Sequence, residues 1–198
     1  MTQYPSHPSI APSLESRDNH CMATQPIADS LISVEEYLST EYEPDCEYNE
    51  GVLEERNLGE FEHSFLQTIL ATLFTNRIAE WGVFALTEQR VQMRPRRYVV
   101  PDLTVLRMGT TREPILTRPP LITIEIMSPK DTLKRTGQKV VEYLEFGVEN
   151  VCVIDPKLRV AYRGTRSGLE QVPSGELTIV GTPILVRSSD LFEKLDQF

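Results

Sequence analysis

Cysteine is scarce in this chain, with three residues in 198: Cys21, Cys46 and Cys152. They are too few and too scattered for a disulfide framework or a paired-cysteine metal site, and a reducing compartment is the expectation. Long apolar runs are missing as well. No stretch approaches the roughly 18 consecutive apolar residues of a membrane span. The N-terminal region lacks a basic segment followed by an apolar block, so no secretory leader is expected. No membrane partner and a cytoplasmic location follow as expectations. Histidine is equally rare, and His7 and His20 fall in a stretch with no periodic pattern, leaving His63. No internal repeat is visible.

What is present suits one folded domain. Hydrophobic residues make up 40% and charged residues 25%, ordinary values for a globular protein, and the length can bury a core without staples. Residues 1–28, with Pro5, Pro8, Pro12 and Pro26 among serines and asparagine, read as a disordered tail. Residues 29–198 read as a single domain. The net charge of −9 argues at first against a nucleic-acid partner. The average hides an asymmetry: residues 90–139 hold eleven Lys or Arg against four Asp or Glu, a balance of +7, and the rest carries −16. Residues 29–63 alone hold twelve acids and one Arg. A basic block in an acidic chain is either an electrostatic footprint or a pair of ordinary solvated faces.

Ser33 with Glu36 forms a capping box and predicts a short helix to about Thr40. Glu47 to Leu53 reads as a hairpin turning at Asn49-Glu50-Gly51. Phe61, Phe65, Leu66, Ile69, Leu70, Leu73, Phe74 and Ile78 recur at helical spacing and predict one helix over about 60–80, closed at Gly82. Strands follow at about 83–86 and 90–94, and a third over 98–106 with Pro101 marking an edge or bulge. Leu121 to Met127 is apolar enough for a central strand covered on both faces. A helix over about 132–146 ends at Gly147, and 150–155 is a further buried strand. Segments from 158 to 187 read as a β-rich extension, with a last helical turn near 189. This mixed alternation predicts an α/β layer around one mixed central sheet flanked by helices.

Glu125 does not fit its surroundings. A carboxylate inside Leu-Ile-Thr-Ile-Glu-Ile-Met is costly unless it is paired or binds a metal. Strand alternation puts Thr123, Glu125 and Met127 on one face. Asp102, just after Pro101, is a second acid in an apolar strand. Two such acids converging make an oxygen site suited to Mg²⁺, with Mn²⁺ able to substitute and the main-chain carbonyl of Ile126 as a third ligand. The chemistry also needs a cation to hold the attacking water or offset phosphate charge. Lys139, about two turns into the next helix, has the reach; Lys130 and Lys134 are nearer in sequence. Tyr143 shares a helix face with Lys139 and reads as packing. Arg94, Arg96 and Arg97 are candidates for DNA phosphate contacts.

Pro101-Asp102, a gap of 22 residues, then Glu125-Ile126-Met127 resembles the PD-(D/E)XK nuclease core, with Met127 where that pattern usually has lysine. The wider set is similar to the putative restriction endonuclease family called Uma-two: Tyr48-Asn49-Glu50-Gly51-Val52, His63, Pro101-Asp102, Glu125 to Pro129, Lys139 to Val148, and Asp155-Pro156. The resemblance implies a restriction-endonuclease-like fold and a Mg²⁺-dependent site cutting DNA, duplex by expectation, with Asp102 and Glu125 on the metal and Lys139 as the displaced lysine. His63, Glu62 and Glu50 are accessory candidates, and Gln138 is a candidate outer donor. Two alternatives remain open at this point: a weak or inactive nucleic-acid-binding or regulatory module on the same fold, and an enzyme acting on another phosphate ester. A homodimer is one open assembly state.

Overall fold

The computed structural model describes residues 31–57 and 59–198, so the expected tail over 1–28 lies outside the described residues. The elements run α1 (Val34–Ser39), β1 (Cys46–Asn49), β2 (Val52–Glu55), α2 (Phe61–Asn76), α3 (Ile78–Trp81), β3 (Val83–Thr87), β4 (Val91–Arg94), β5 (Arg97–Val99), β6 (Leu103–Arg107), β7 (Ile122–Ile126), α4 (Leu133–Phe146), β8 (Asn150–Asp155), β9 (Val160–Thr165), β10 (Gly168–Gln171), β11 (Glu176–Thr178), β12 (Leu185–Arg187) and α5 (Ser188–Leu195). Among the described residues no helix is long and apolar enough to cross a membrane.

Local chemistry sets the helix ends. Ser33 Oγ accepts from the Glu36 amide at 3.0 Å and opens α1, and Thr132 Oγ1 accepts from the Arg135 amide at 3.2 Å and opens α4. Each satisfies one of the amides that a helix start leaves free. Gly147 closes α4 at φ +107°, a left-handed conformation that a Cβ would disfavour. The helix expected over 60–80 is two pieces, α2 and α3, because Arg77 leaves helical geometry at φ −116°, ψ 16°.

The main sheet has the order β10-β9-β8-β7-β6-β3. Only β7 and β8 are parallel, joined through α4, and the other pairs are antiparallel. A mixed sheet flanked by helices is therefore the fold, as the sequence predicts. Alternation along β7 sorts its side chains. Ile122, Ile124 and Ile126 enter a core with Leu66, Leu70 and Phe74 of α2. Met127 enters a second core with Val140 and Tyr143 of α4 and with Val151 and Val153 of β8. Glu125 shares the α4 side. Strands β9 and β10 extend this main sheet instead of forming a separate extension; β11 and β12 make a two-stranded ribbon, and α5 is a full two turns.

A second sheet, ordered β2-β1-β5-β4, is antiparallel throughout. It has its own small core of Tyr37, Tyr48 and Tyr98. The strand expected over 98–106 is divided between the two sheets: β5 belongs to the small one and β6 to the main one. Val100-Pro101-Asp102 makes the crossing. Pro101 has no amide to give to a ladder, so the strand breaks where the sheets part.

Candidate active site

The crossing places Asp102 at the start of β6, beside β7, where Leu103 pairs with Ile124. Asp102 is buried, 5% exposed. Its Oδ2 accepts from the Ile126 amide at 2.7 Å and lies 3.2 Å from His63 Nε2. Its Oδ1 has a longer contact, 3.4 Å, with Arg56. His63 comes from the first turn of α2 and Arg56 from the segment after β2. Glu125, on the α4 side of β7, accepts on Oε1 from the Tyr143 hydroxyl, and the same oxygen is ion-paired with Lys139 Nζ at 3.0 Å. Lys139 and Tyr143 are four residues apart on α4, so both reach the same carboxylate from one helix face. Among the described residues the hydrogen bond and the ion pair of Glu125 both fall on Oε1.

A cavity of about 400 Å³ opens over this group, lined by Asp102, Glu125, Ile126, His63, Lys139 and residues around them. The charges there shape one another. Burial pushes the Glu125 carboxyl up to about 7; Lys139 opposes this, while the neighbouring Asp102 and Glu47 charges add to it. Burial would raise Asp102 too, but the His63 hydrogen bond and charge, the Ile126 amide and Lys139 hold it below the usual carboxylate range. Burial pulls the His63 imidazole down, and Asp102 outweighs that and raises it. Lys139 is likewise raised: burial works against its charge, and Glu125 and Glu47 overcome it. The ammonium therefore stays charged in the working range.

The sequence candidates divide clearly. Asp102, Glu125, Ile126, Lys139, His63 and Gln138 all line the one cavity. The Ile126 side chain packs in the core on the α2 side, so its contribution is main chain. Glu62 is exposed on α2. Glu50 is exposed at the tip of the β1–β2 hairpin, paired with Arg96 at 3.1 Å; both stand outside the cavity lining. Arg97 is not on the outer surface where the sequence reading put it: it is 3% exposed, is tied to Glu47, Glu54 and Glu142, and borders the cavity. Arg94 remains exposed, 3.8 Å from Glu142. Tyr143 is a second correction, because its hydroxyl binds Glu125 as well as packing.

One residue escapes the sequence reading. Glu47 of β1 is buried, and its Oε1 lies 2.8 Å from Lys139 Nζ, closer than Glu125. Burial would raise its pKa, but Lys139 and Arg97 keep it low. The available signal was a carboxylate between Cys46 and Tyr48 in a strand whose side chains are buried on both faces.

The donor set suits a hard divalent cation. Asp102 Oδ1 and Glu125 Oε2 are the carboxylate oxygens least committed to protein donors, and both belong to buried acids. Among the described residues no group of three or more His, Cys, Asp or Glu side chains is placed to hold an ion. Two carboxylates completed by a carbonyl and waters is the pattern that Mg²⁺ favours, and not that of a closed zinc site.

The family model described as Uma2, putative restriction endonuclease, matches residues 34–186. The chain belongs to the Uma2 family. The resemblance read from Pro101-Asp102, Glu125 and the α4 segment is thus borne out, and both acids and Lys139 lie within the matched span. Among solved structures, a putative nuclease belonging to DUF820 from Anabaena variabilis is similar with a TM-score of 0.70 and 22% identity, over 83% of this chain and 99% of that one. This likeness gives the Uma2 chain its restriction-endonuclease-like fold. A DrdV–DNA complex matches at a TM-score of 0.36 and 21% identity, over 54% of this chain and 9% of that one. No curated protein matches.

Proposed function

We propose that this Uma2 protein is a metal-dependent nuclease that hydrolyses phosphodiester bonds in DNA. Membership of a family described as putative restriction endonucleases supports the nuclease class. The observation that carries the finer reading is the Lys139 ammonium 3.0 Å from Glu125, in the same cavity as Asp102. It supplies a cation beside two acids although Met127 occupies the place of the usual lysine.

In this reading Asp102 and Glu125, with the Ile126 carbonyl as a third protein ligand, would hold Mg²⁺. The bound ion supplies an acidified water and offsets charge on the phosphate. The chain's own residues do the rest. His63 and the Ile126 amide occupy Oδ2 of Asp102 and fix which oxygen faces the cavity. Tyr143 does the same for Oε1 of Glu125. Lys139 has three N–H donors. Its ammonium is ion-paired with Glu47 and Glu125, and with three donors facing two carboxylates one can turn to the attacking water or to a phosphate oxygen, where negative charge builds in the transition state. Hydrolysis forms one bond from water oxygen to phosphorus and breaks one from phosphorus to a sugar oxygen, which leaves with a proton.

Supercoiled plasmid incubated with the protein and Mg²⁺ or Mn²⁺ should be nicked, and EDTA should stop it. Glu125→Ala should abolish nicking and weaken Mn²⁺ binding by calorimetry. Intact plasmid with either metal, together with Mn²⁺ affinity unchanged in Glu125→Ala and Asp102→Ala, would defeat the reading. DNA binding without nicking would instead favour a nucleic-acid-binding module, the reading to which a buried Met127 lends weight.

A further inference from the structure

Glu47 reaches the site from the other sheet, and its contacts run in two directions. Oε1 receives Lys139 Nζ at 2.8 Å and the Val100 amide at 3.1 Å, and Oε2 faces Arg97 at 3.4 Å. Arg97 is itself held by Glu142 at 2.8 Å and Glu54 at 3.1 Å, and donates to the Tyr48 carbonyl at 3.4 Å. A buried charge is tolerated when its partners and hydrogen bonds are complete. Here each charge is satisfied by the next, from Glu54 and Glu142 through Arg97 and Glu47 to Lys139 and Glu125.

The chain of contacts has a direction that packing alone does not require. Lysine is a point charge on a flexible four-carbon stem. With Glu125 as its one partner, the ammonium is free to swing around a single ion pair. A second carboxylate, fixed by an amide and a guanidinium, restricts it to the line between two oxygens. The brace is rigid because Arg97 opens β5 and Val100 directly follows it, in the crossing that carries Asp102.

We propose that Glu47 is a positioning residue which, braced by Arg97 and the Val100 amide, fixes the Lys139 ammonium beside Glu125, so that the small sheet supplies part of the active site. The effect on rate rests on the nuclease reading; the effect on the ammonium does not, and it is measured without turnover.

The test uses the full chain with lysine side-chain nitrogen labelled, and assigns the Lys139 ammonium signal by its loss in Lys139→Arg. In the parent protein this signal should show slowed hydrogen exchange. Glu47→Gln keeps the shape and removes the charge. It should speed that exchange at least about tenfold and lower the kcat for Mg²⁺-dependent nicking about 100-fold, the scale of a small misplacement of a reacting group. KM should stay within about twofold and far-UV circular dichroism should be unchanged. Glu47→Asp, which keeps the charge, should recover part of both effects, and it replaces Glu47→Gln if that variant fails to fold. Glu193→Gln, exposed on α5, should change neither reading. Unaltered Lys139 exchange in a folded Glu47 variant overturns the proposal whatever the rate does. If the parent protein does not nick DNA, the nuclease reading falls, and the exchange measurement still decides the role of Glu47.

Discussion

Glu125 is ionised at a cost, and the cost has a pH signature. Its carboxyl titrates near 7 in the folded protein against an ordinary value of 4.5, because burial and the nearby Asp102 and Glu47 charges outweigh Lys139 and Tyr143. Between those two values the unfolded chain carries fewer protons than the folded one. Without metal, the contribution of Glu125 to stability must therefore fall as pH rises from about 4.5 to about 7. His63, raised by Asp102, adds a loss of the same sign above its ordinary 6.5. Asp102 and Glu47, held low, have their effects at more acid pH. Melting temperatures in EDTA should decline across this window, and Glu125→Gln should flatten the decline; an unaltered slope in that variant would show that Glu125 is not its source. Glu125 was legible in the sequence because it is a charge inside an apolar strand. Asp102 was legible because it follows Pro101, and Lys139 because the chemistry demanded a cation. Glu47 was not, since it is one of twelve acids in residues 29–63 and its burial depends on a sheet assembled from distant strands.

Helix α4 is the element that carries Lys139, and one glycine sets how close it lies to the sheet. A Cβ on Gly164 of β9 would come within 2.6 Å of Val140 Cγ1 and 2.9 Å of Val151 Cβ. Val140 is the residue next to Lys139. Gly164→Ala should overpack this contact, costing about 1–3 kcal/mol, and lift the helix away from β7. The expected outcome is a lower melting temperature together with slower nicking. Gly137 gives the contrast on the same helix, because a Cβ there would meet nothing nearer than 3.9 Å. Gly137→Ala should stabilise by up to about 1 kcal/mol through helix propensity alone. Thermal melts of the two variants check both signs. The limits of α4 were readable from Thr132 and Gly147, which act locally. The split of the strand over 98–106 was not, because an apolar run continues through Pro101 and only the partners of each half, far along the chain, decide which sheet it joins.

The charge asymmetry of the whole chain is resolved by pairing within the small sheet. Asn49 stands opposite Arg97 in the β1–β5 ladder, which brings the acidic segment against the basic one: Arg96 meets Glu50, and Arg97 meets Glu47 and Glu54. Charges segregated along a sequence can thus cancel in space, which is why the basic block could not be read as a surface; Arg107, Arg112 and Arg118 remain exposed. The three separate cores have a further consequence, in optical spectra. The single tryptophan, Trp81, is buried in the main core. Tyr37, Tyr48 and Tyr98 form the small core, with Tyr42 packed against it. Tryptophan fluorescence therefore follows the α2-side core, whereas near-UV tyrosine dichroism sums Tyr37, Tyr48 and Tyr98 of the small core with Tyr143 and Tyr162 of the α4-side core. Small sheets held by few apolar contacts open at lower free energy than large cores, so the small-core part of the tyrosine signal should be lost first. Nicking should disappear with this first fall of the tyrosine signal while the tryptophan emission still reports a native environment, and a single coincident loss of both signals would show one cooperative unit. A thermometer for the active site is thus written into the placement of the aromatic side chains.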